Sequence, residues 1–341
     1  MPNTILMIKD SNILTDTHNR THNYLRISLS EKCNLRCTYC MPKDGIALSP
    51  RAHLMSADEI ESIATVFVNH GVDKIRLTGG EPLVRKDFKI ILEKLSKLPV
   101  KLSITTNALL TDRYIEDFKK YGLHDINVSL DTLDTEKFKF ITRRDQFKLA
   151  YDNIQQLINE GFNVKINAVL MKDFNEDEIT DFIELTRNQE INVRFIEFMP
   201  FDGNAWNKNK LVSQAEILNR VTNFYGVQAL KPLTNEQNFT ARNFQIENFK
   251  GSFGIISSVT NPFCDSCNRI RLTADGKLKN CLFSNYETNL LTAFRNGENI
   301  EELINKSLNS KMAVRAGMTD FDQLTNPDLH SNNRSMIAIG G

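Results

Sequence analysis

The chain has 341 residues, of which 41% are hydrophobic, and its 42 Lys plus Arg balance 42 Asp plus Glu. A formal net charge of zero removes any broad electrostatic case for a nucleic-acid or membrane partner, although a few focused arginines suffice for a phosphate-bearing small molecule. No apolar run approaches the ~20 residues that cross a bilayer, and residues 1–20 are soon interrupted by acidic and polar side chains; a cytoplasmic location with reduced thiols is expected.

From residue 24 to about residue 210, short β-branched runs alternate with stretches of helical periodicity, the rhythm that parallel sheets require. A first strand is expected over Tyr24–Ser30 and leads into a loop with Cys33, Cys37 and Cys40. A helix over Ser56–His70 opens with Ser56 and carries Glu59 three residues on, a capping box, and Gly71 follows as a C-cap. The second strand, Lys74–Thr78, ends in Gly79-Gly80-Glu81-Pro82 and precedes a helix over Lys86–Lys97. The third, Leu102–Thr106, runs into Asn107, and the helix over Asp112–Tyr121 stops at Gly122. Three more strands follow at Ile126–Leu130, Val164–Leu170 and Val193–Phe198, with helices over Gln146–Glu160 (closed by Gly161) and Glu176–Asn188 between them.

Six βα units make a partial barrel, since eight would close one. Chemistry in such folds collects beyond the carboxyl ends of the strands, where the first cysteines, the Gly-Gly-Glu-Pro run and Thr106-Asn107 all fall. After Trp206 the rhythm changes to a helix over Ser213–Phe224, a β-leaning stretch over Phe239–Ile256, the remaining cysteines and a final Gly340-Gly341. Residues 1–210 are expected to form the barrel, and residues 211–341 a smaller region that closes its open side.

All six cysteines fall into two groups of three: Cys33, Cys37 and Cys40 at C-x3-C-x2-C spacing, and Cys264, Cys267 and Cys281. Clustered thiolates select zinc or iron–sulfur clusters, and a closed structural site takes four ligands. Three cysteines on a cubane leave one iron open. At the first group S-adenosylmethionine (SAM) would chelate that iron through its amino and carboxylate groups, and its reductive cleavage yields a 5′-deoxyadenosyl radical. The competing reading is structural zinc completed by a histidine. His18 and His22 precede the first group, His53 and His70 follow it, none at a tight Cys/His spacing, and His330 is far from the second group. The Gly-Gly-Glu-Pro loop and the second triplet weigh toward clusters.

The first cysteine motif with Gly79-Gly80-Glu81-Pro82 resembles the radical SAM superfamily. The segments Leu25-Arg26-Ile27-Ser28, Tyr39-Cys40-Met41-Pro42, Ile75-Arg76-Leu77-Thr78, Arg194-Phe195-Ile196-Glu197-Phe198-Met199 and Cys267-Asn268-Arg269-Ile270-Arg271, with the Gly340-Gly341 ending, narrow the likeness. From about Tyr24 onward they resemble the GTP 3′,8-cyclases of molybdenum cofactor biosynthesis. The resemblance implies an α/β fold, a partial (βα)6 TIM-like radical SAM barrel with a smaller C-terminal region that carries a second iron–sulfur cluster. It implies two 4Fe-4S clusters, one on Cys33, Cys37 and Cys40 and one on Cys264, Cys267 and Cys281, and SAM contacts from Tyr39, Gly80, Ser129 and Met199. GTP would meet the second cluster through a guanine nitrogen, with its triphosphate among Arg26, Arg76, Lys165, Arg269 and Arg271, and Thr105 and Ile270 as further contacts.

The implied reaction takes the 3′ hydrogen of GTP; the C3′ radical then attacks C8, and reduction gives 3′,8-cyclo-7,8-dihydro-GTP. Arg269 and Arg271 are expected to assist that reduction, and the Gly340-Gly341 tail to enter the active site and support catalysis. Partners implied are an external electron donor and a cyclic pyranopterin synthase acting next, with the enzyme a monomer or homodimer.

The residues also speak for themselves. Arg26, Arg76 and Arg194 sit inside otherwise apolar strands, where burial demands a partner, either a phosphate or an internal carboxylate such as Glu197. Arg269 and Arg271 alternate on an extended segment and so share one face. The plainer alternatives are a surface ion pair for any one arginine, a strand-end hydroxyl for Ser129 and a core side chain for Met199. Glu31-Lys32 stands where most relatives carry Asp-Arg, and the stretch before Tyr24 is assigned no role. Two rivals remain: a radical SAM enzyme with an auxiliary cluster acting on another substrate such as a peptide, and a non-enzymatic zinc protein. The first usually carries more downstream cysteines and a peptide-binding domain, neither of which is seen.

Overall fold

The computed structural model describes residues 13–41, 45–201, 204, 206–234, 238, 240–330 and 333–340. Six parallel strands lie side by side in chain order: β1 (Tyr24–Ser28), β2 (Lys74–Thr78), β3 (Lys101–Thr106), β4 (Asp125–Ser129), β5 (Asn163–Leu170) and β6 (Asn192–Glu197). Each lies within two residues of its expected bounds. Between them run α1 (Ala57–Asn69), α2 (Phe88–Leu95), α3 (Ile115–Lys120), α4 (Thr135–Thr142), α5 (Phe147–Asn159) and α6 (Ile179–Glu184). The capping box on α1 is formed, with Ser56 and Glu59 each satisfying the other's backbone N–H. Gly71, Gly122 and Gly161 all take positive φ just beyond their helices, the conformation that ends a helix most cheaply at glycine. α4 is additional to the expected elements; Asp134 caps it by accepting from the Lys137 N–H at 2.7 Å.

The later half of the chain extends the same sheet at both flanks instead of forming a body of its own. After α7 (Gln214–Tyr225), β7 (Leu230–Pro232) and β8 (Arg242–Ile246) pair antiparallel, and β8 is antiparallel to β9 (Ser252–Ile256), which joins β6 in parallel. β10 (Arg269–Leu272) returns to the other side and joins β1 in parallel, Tyr24 opposite Arg269. β11 (Lys277–Lys279) and β12 (Thr288–Asn289) complete that flank in antiparallel fashion. The twelve-stranded order is β12-β11-β10-β1-β2-β3-β4-β5-β6-β9-β8-β7. Eight consecutive strands are therefore parallel: the six expected, plus β9 and β10. The chain ends in α8 (Leu290–Arg295), α9 (Ile300–Asn309), α10 (Phe321–Thr325) and α11 (Met336–Ile339). Among the described residues no helix is long and apolar enough to cross a membrane.

Side-chain alternation sorts the strands into two faces. Leu25 and Ile27, Ile75 and Leu77, Leu102 and Ile104, Ile126 and Val128, Val164 and Ile166, Val193 and Phe195, and Ile270 and Leu272 are buried in one core with Ile60, Ile63, Phe67, Phe88 and Leu92 of α1 and α2 and Ile154 and Leu157 of α5. The intervening positions point inward. In a closed barrel that space is packed with branched apolar side chains; here it is polar, holding Tyr24, Arg26, Lys74, Arg76, Ser103, Thr105, Asn127, Lys165, Asn167 and Arg194. A polar interior cannot pack itself dry, so the fold leaves a chamber.

Candidate active site

The chamber is a cavity of about 330 Å³, and both cysteine groups line it. Cys33, Cys37 and Cys40 come from the loop after β1, Cys264 and Cys267 from the turn before β10, and Cys281 from just after β11. All six are free thiols.

The first loop is held from several sides. The Arg36 and Thr38 N–H groups donate to the carbonyls of Thr142 and Ile141 at the end of α4. Leu35 N–H and Asn107 Nδ2 approach the Cys33 sulfur at 3.4 and 3.8 Å. Burial pushes the Cys33 thiol up to about 11 and Cys40 up to about 12, and carries Cys37 well above its ordinary value. The three half-buried thiols are thus held in their neutral form by their surroundings, and binding a metal centre would be needed to draw them to thiolates.

The Gly-Gly-Glu-Pro loop lies directly beneath. A Cβ on Gly79 would meet the Ser30 carbonyl at 2.6 Å, and one on Gly80 the Lys32 carbonyl at 2.5 Å and Ile337 Cγ1 at 2.8 Å. Only glycine allows this approach. Glu81 is buried outside the cavity, and its carboxylate accepts from Thr106 Oγ1 at 2.9 Å, Asn107 N at 2.8 Å and Leu83 N at 3.1 Å, so it shapes the loop from below. Burial still raises it to about 7. Tyr39, Gly80, Ser129 and Met199 line the cavity together. The Tyr39 hydroxyl donates to Asp131 Oδ2 at 2.7 Å, and Asp131 Oδ1 accepts from Val169 N at 2.9 Å.

On the opposite wall stand Arg26, Arg76, Thr105, Arg194, Arg269 and Arg271. Lys165 lies outside the lining, its Nζ 3.9 Å from Asp125 Oδ1. Ile270 points into the core between the two arginines, which leaves only its backbone for the site. Burial, and then the neighbouring cations, depress these groups: Arg194 to about 10 beside Arg76, Arg271 to about 10 beside Arg269, and Lys165 to about 8 beside Arg194. For Tyr24 burial acts upward, yet Arg76, Arg26, Lys74 and Arg269 bring it down to about 8. The wall carries excess positive charge. Thr105 Oγ1, Asn127 Oδ1, Asn167 Oδ1 and Arg269 Nη2 are buried with no hydrogen-bond partner among the described residues, as expected of groups that await a polar ligand.

Glu197 does not serve Arg194. Its carboxylate accepts from the N–H groups of Val259 and Thr260 and from the Thr260 hydroxyl, while Arg194 Nε donates to Asn192 Oδ1 at 2.7 Å. Glu197, the carboxylate expected for that arginine, is thus excluded by geometry, and the remaining carboxylate influence on it comes from Asp125.

The second group is embraced by basic residues. Arg315, buried, donates from its side chain to the carbonyls of Val259, Met318 and Thr319, and its backbone N–H reaches the Cys264 sulfur. Burial raises Cys267, but Lys311 and Arg269 outweigh it and bring the thiol down to about 7. Among the described residues no three His, Cys, Asp or Glu side chains are gathered tightly enough for one ion.

The C-terminal tail closes the site. Met336 lines the cavity, the Ile337 N–H donates to the Cys40 sulfur, and the Gly340 carbonyl accepts from Arg271 Nη1. Gly340 has φ +76°, and a Cβ there would meet Thr78 Oγ1 at 2.3 Å. Gly341 lies outside the described residues, as do Pro42 and Phe239. Asn107 is the strand-end residue expected beside Thr106, whereas Asn127, Asp131, Asn167, Lys311 and Arg315 are not singled out by the sequence. For Asn127 and Asn167 a signal existed, since they occupy the same inward parity as Ser129 and Lys165.

Comparison with known proteins adds the following. Residues 27–186 match the radical SAM superfamily and residues 191–317 match Molybdenum Cofactor Synthesis C. The mitochondrial GTP 3′,8-cyclase of Arabidopsis thaliana is 46% identical over 98% of this chain and 86% of its own. The GTP 3′,8-cyclase of Alkaliphilus oremlandii is 39% identical over 96% of this chain and 100% of its own. Molybdenum cofactor biosynthesis protein 1 of Homo sapiens is 45% identical over 96% of this chain, which spans 51% of that protein. Among solved structures, Streptococcus suis SuiB superposes with a TM-score of 0.60 at 18% identity, covering 84% of this chain and 67% of that one, a likeness of fold.

Proposed function

This chain belongs to the GTP 3′,8-cyclase family of molybdenum cofactor biosynthesis and has a TIM-like radical SAM fold, and from that premise we propose that the chamber holds two 4Fe-4S clusters, SAM and GTP together. The observation that carries the reading is that both cysteine triplets and a cluster of arginines line the same chamber.

Cys33, Cys37 and Cys40 would hold the first cluster, and Cys264, Cys267 and Cys281 the second. When bound, the first cluster and SAM supply the 5′-deoxyadenosyl radical that takes the 3′ hydrogen of GTP. The chain's own residues orient and enclose. Tyr39, fixed by Asp131, and the bare backbone of Gly80 shape the SAM side, with Ser129 and Met199 along its edge. Arg26, Arg76, Arg194, Arg269 and Arg271 would take the triphosphate, since guanidinium forks match phosphate oxygens; Lys165 would add charge from behind. Thr105, Asn127 and Asn167 offer their unpaired oxygens to ribose or base. Arg271, bridged to Gly340, is the group best placed to support the final reduction, and the tail keeps water from the radical.

We assign radical generation to residues 1–210 and the second cluster to residues 211–341, with the GTP contacts drawn from both parts of one sheet. An external electron donor and a following cyclic pyranopterin synthase complete the reading. The test is anaerobic incubation of reconstituted protein with SAM, dithionite and GTP, followed by mass spectrometry. The expected result is GTP-dependent 5′-deoxyadenosine together with a product isomeric with GTP and resolved from it by chromatography. SAM cleavage with GTP left intact would discard the substrate, as would turnover of a peptide in its place.

A further inference from the structure

Residues 13–23, ahead of β1, have no part in the reading above, yet they are anchored by buried charge. Thr15 and Thr21 bridge, and between and beside them Asp16, Arg20 and His22 are 4%, 7% and 0% exposed. Lys311, which follows α9, is 4% exposed and packs against them. Burying four such residues together is costly unless each has a defined partner.

For three of the four the partners are plain. Arg20 Nε donates to Asp16 Oδ2 at 2.7 Å, its Nη1 to the carbonyls of Cys264 at 2.9 Å and Ala313 at 2.7 Å, and its Nη2 to the Met312 carbonyl at 3.0 Å. His22 Nε2 lies 3.1 Å from Asp16 Oδ2 and its Nδ1 3.5 Å from Lys311 Nζ. Burial, with Lys311 adding to it, lowers His22 to about 3, so the ring is neutral: Nε2–H donates to Asp16, and Nδ1 is left to accept from Lys311.

Asp16 and Arg20 balance one another, which leaves the Lys311 ammonium as a second, buried cation. Its polar neighbours among the described residues are His22 Nδ1, the Arg269 carbonyl at 3.2 Å and the Cys267 sulfur at 3.6 Å. Two of the three are neutral. The sulfur is the one that becomes anionic, and it does so as a cluster ligand.

We propose that Lys311, aimed by the Asp16–His22 pair, is a positioning residue for the second iron–sulfur cluster. Its ammonium donates to the Cys267 sulfur and raises the cluster's reduction potential, while Arg20 clamps the Cys264 end of the same loop. A donor and a positive charge at a ligating sulfur favour the more reduced, more negative state. The same ammonium holds the Arg269 carbonyl, so the loop's ligands and the first arginine of β10 are set together. This rests on the reading that Cys264, Cys267 and Cys281 carry a cluster.

The experiment begins from a full-length C33A/C37A/C40A protein, which isolates the second site. Iron uptake on reconstitution tests the underlying reading: no bound iron would sink the second cluster itself, whatever Lys311 does. Given uptake, an EPR-monitored redox titration compares it with the same protein carrying Lys311→Met or Lys311→Arg. The expected result is a shift to more negative potential in Lys311→Met and a return toward the parent value in Lys311→Arg. An unchanged potential in Lys311→Met overturns the proposal while the second cluster stands. Should Lys311→Met take up no iron, Lys311→Arg decides: restored loading supports a donor and charge at that place, and failure to load overturns it.

Discussion

Arg271 Nη1 donates to the carbonyl of Gly340, joining the middle of β10 to the C-terminal tail across the mouth of the cavity. The root of that tail is fixed by Arg334, which forks onto Asp275 at 2.9 and 2.8 Å and reaches Glu287 Oε2 at 2.7 Å. Asn333 adds a bond to the Leu282 carbonyl at 3.1 Å, beside Cys281. Removing Gly340 and Gly341, or making Arg334→Ala, is expected to leave iron content unchanged and to lower GTP conversion by about tenfold or more, since a bidentate charge-assisted pair is among the stronger anchors. Iron per chain and product per minute, measured on the same preparation, check this; full turnover in both variants refutes it.

Tyr39→Phe removes the hydroxyl that donates to Asp131 and leaves that buried carboxylate with Val169 N as its one remaining donor among the described residues. A hydrogen bond to a charged group is worth roughly 1.5–3 kcal/mol. The variant's thermal midpoint should fall, and its anaerobic SAM affinity should fall with it. A variant that loses stability but binds SAM as before would separate the fold from the site and reject the positioning role.

Two carboxyls make the cluster-free protein sensitive to pH. Burial raises Glu81 from 4.5 to about 7 and Asp131 from 3.8 to about 6, against the pull of their hydrogen-bond donors. The folded state therefore holds these protons where the unfolded chain has lost them. Their stabilising contribution is full below the unfolded values and disappears as the pH rises through about 7. Urea midpoints across pH 4.5 to 7 should decline more steeply for the parent than for Glu81→Gln; equal slopes would show that Glu81 is not the source.

Arg76 and Arg194 can be tested as a pair. Arg76→Met or Arg194→Met removes one cation from a wall whose members repel each other, so the protein without nucleotide should be no less stable. GTP binding should weaken by about 10- to 100-fold per residue, the equivalent of one charge-assisted hydrogen bond. Isothermal titration with GTP and thermal unfolding give the two readouts. Loss of stability with unchanged affinity would assign these arginines to the fold instead.

Much of this was legible beforehand because it is local. Strand bounds, the Ser56 capping box and the helix-ending glycines depend on neighbours within a few residues, and they appear where the periodicity puts them. The inward parity of Arg26, Arg76, Asn127, Lys165 and Arg194 was also present in the alternation, although it takes all the strands together to see a polar interior. α4 escaped because Thr135–Thr142 mixes lysines with its apolar residues and shows no wide apolar stripe. Asp131, Lys311 and Arg315 escaped for another reason. Each is a lone polar residue whose meaning comes from a distant partner: Tyr39 for the first, Cys267 for the second, Val259 for the third. The division of the sheet was missed likewise, since β9 and β10 look like any short strand until β6 and β1 claim them.

The pairing of β1 with β10 also sets a timetable. During synthesis β1 acquires β2 early, but its other edge stays bare until residue 272 has left the ribosome, a wait of roughly 10–50 s at about 5–20 residues per second. Throughout that interval the Cys33–Cys40 loop exists without its opposite wall, exposed to oxidant and to stray metal. A chain interrupted before β10 arrives keeps an open β1 edge, and such chains should be prone to associate with one another.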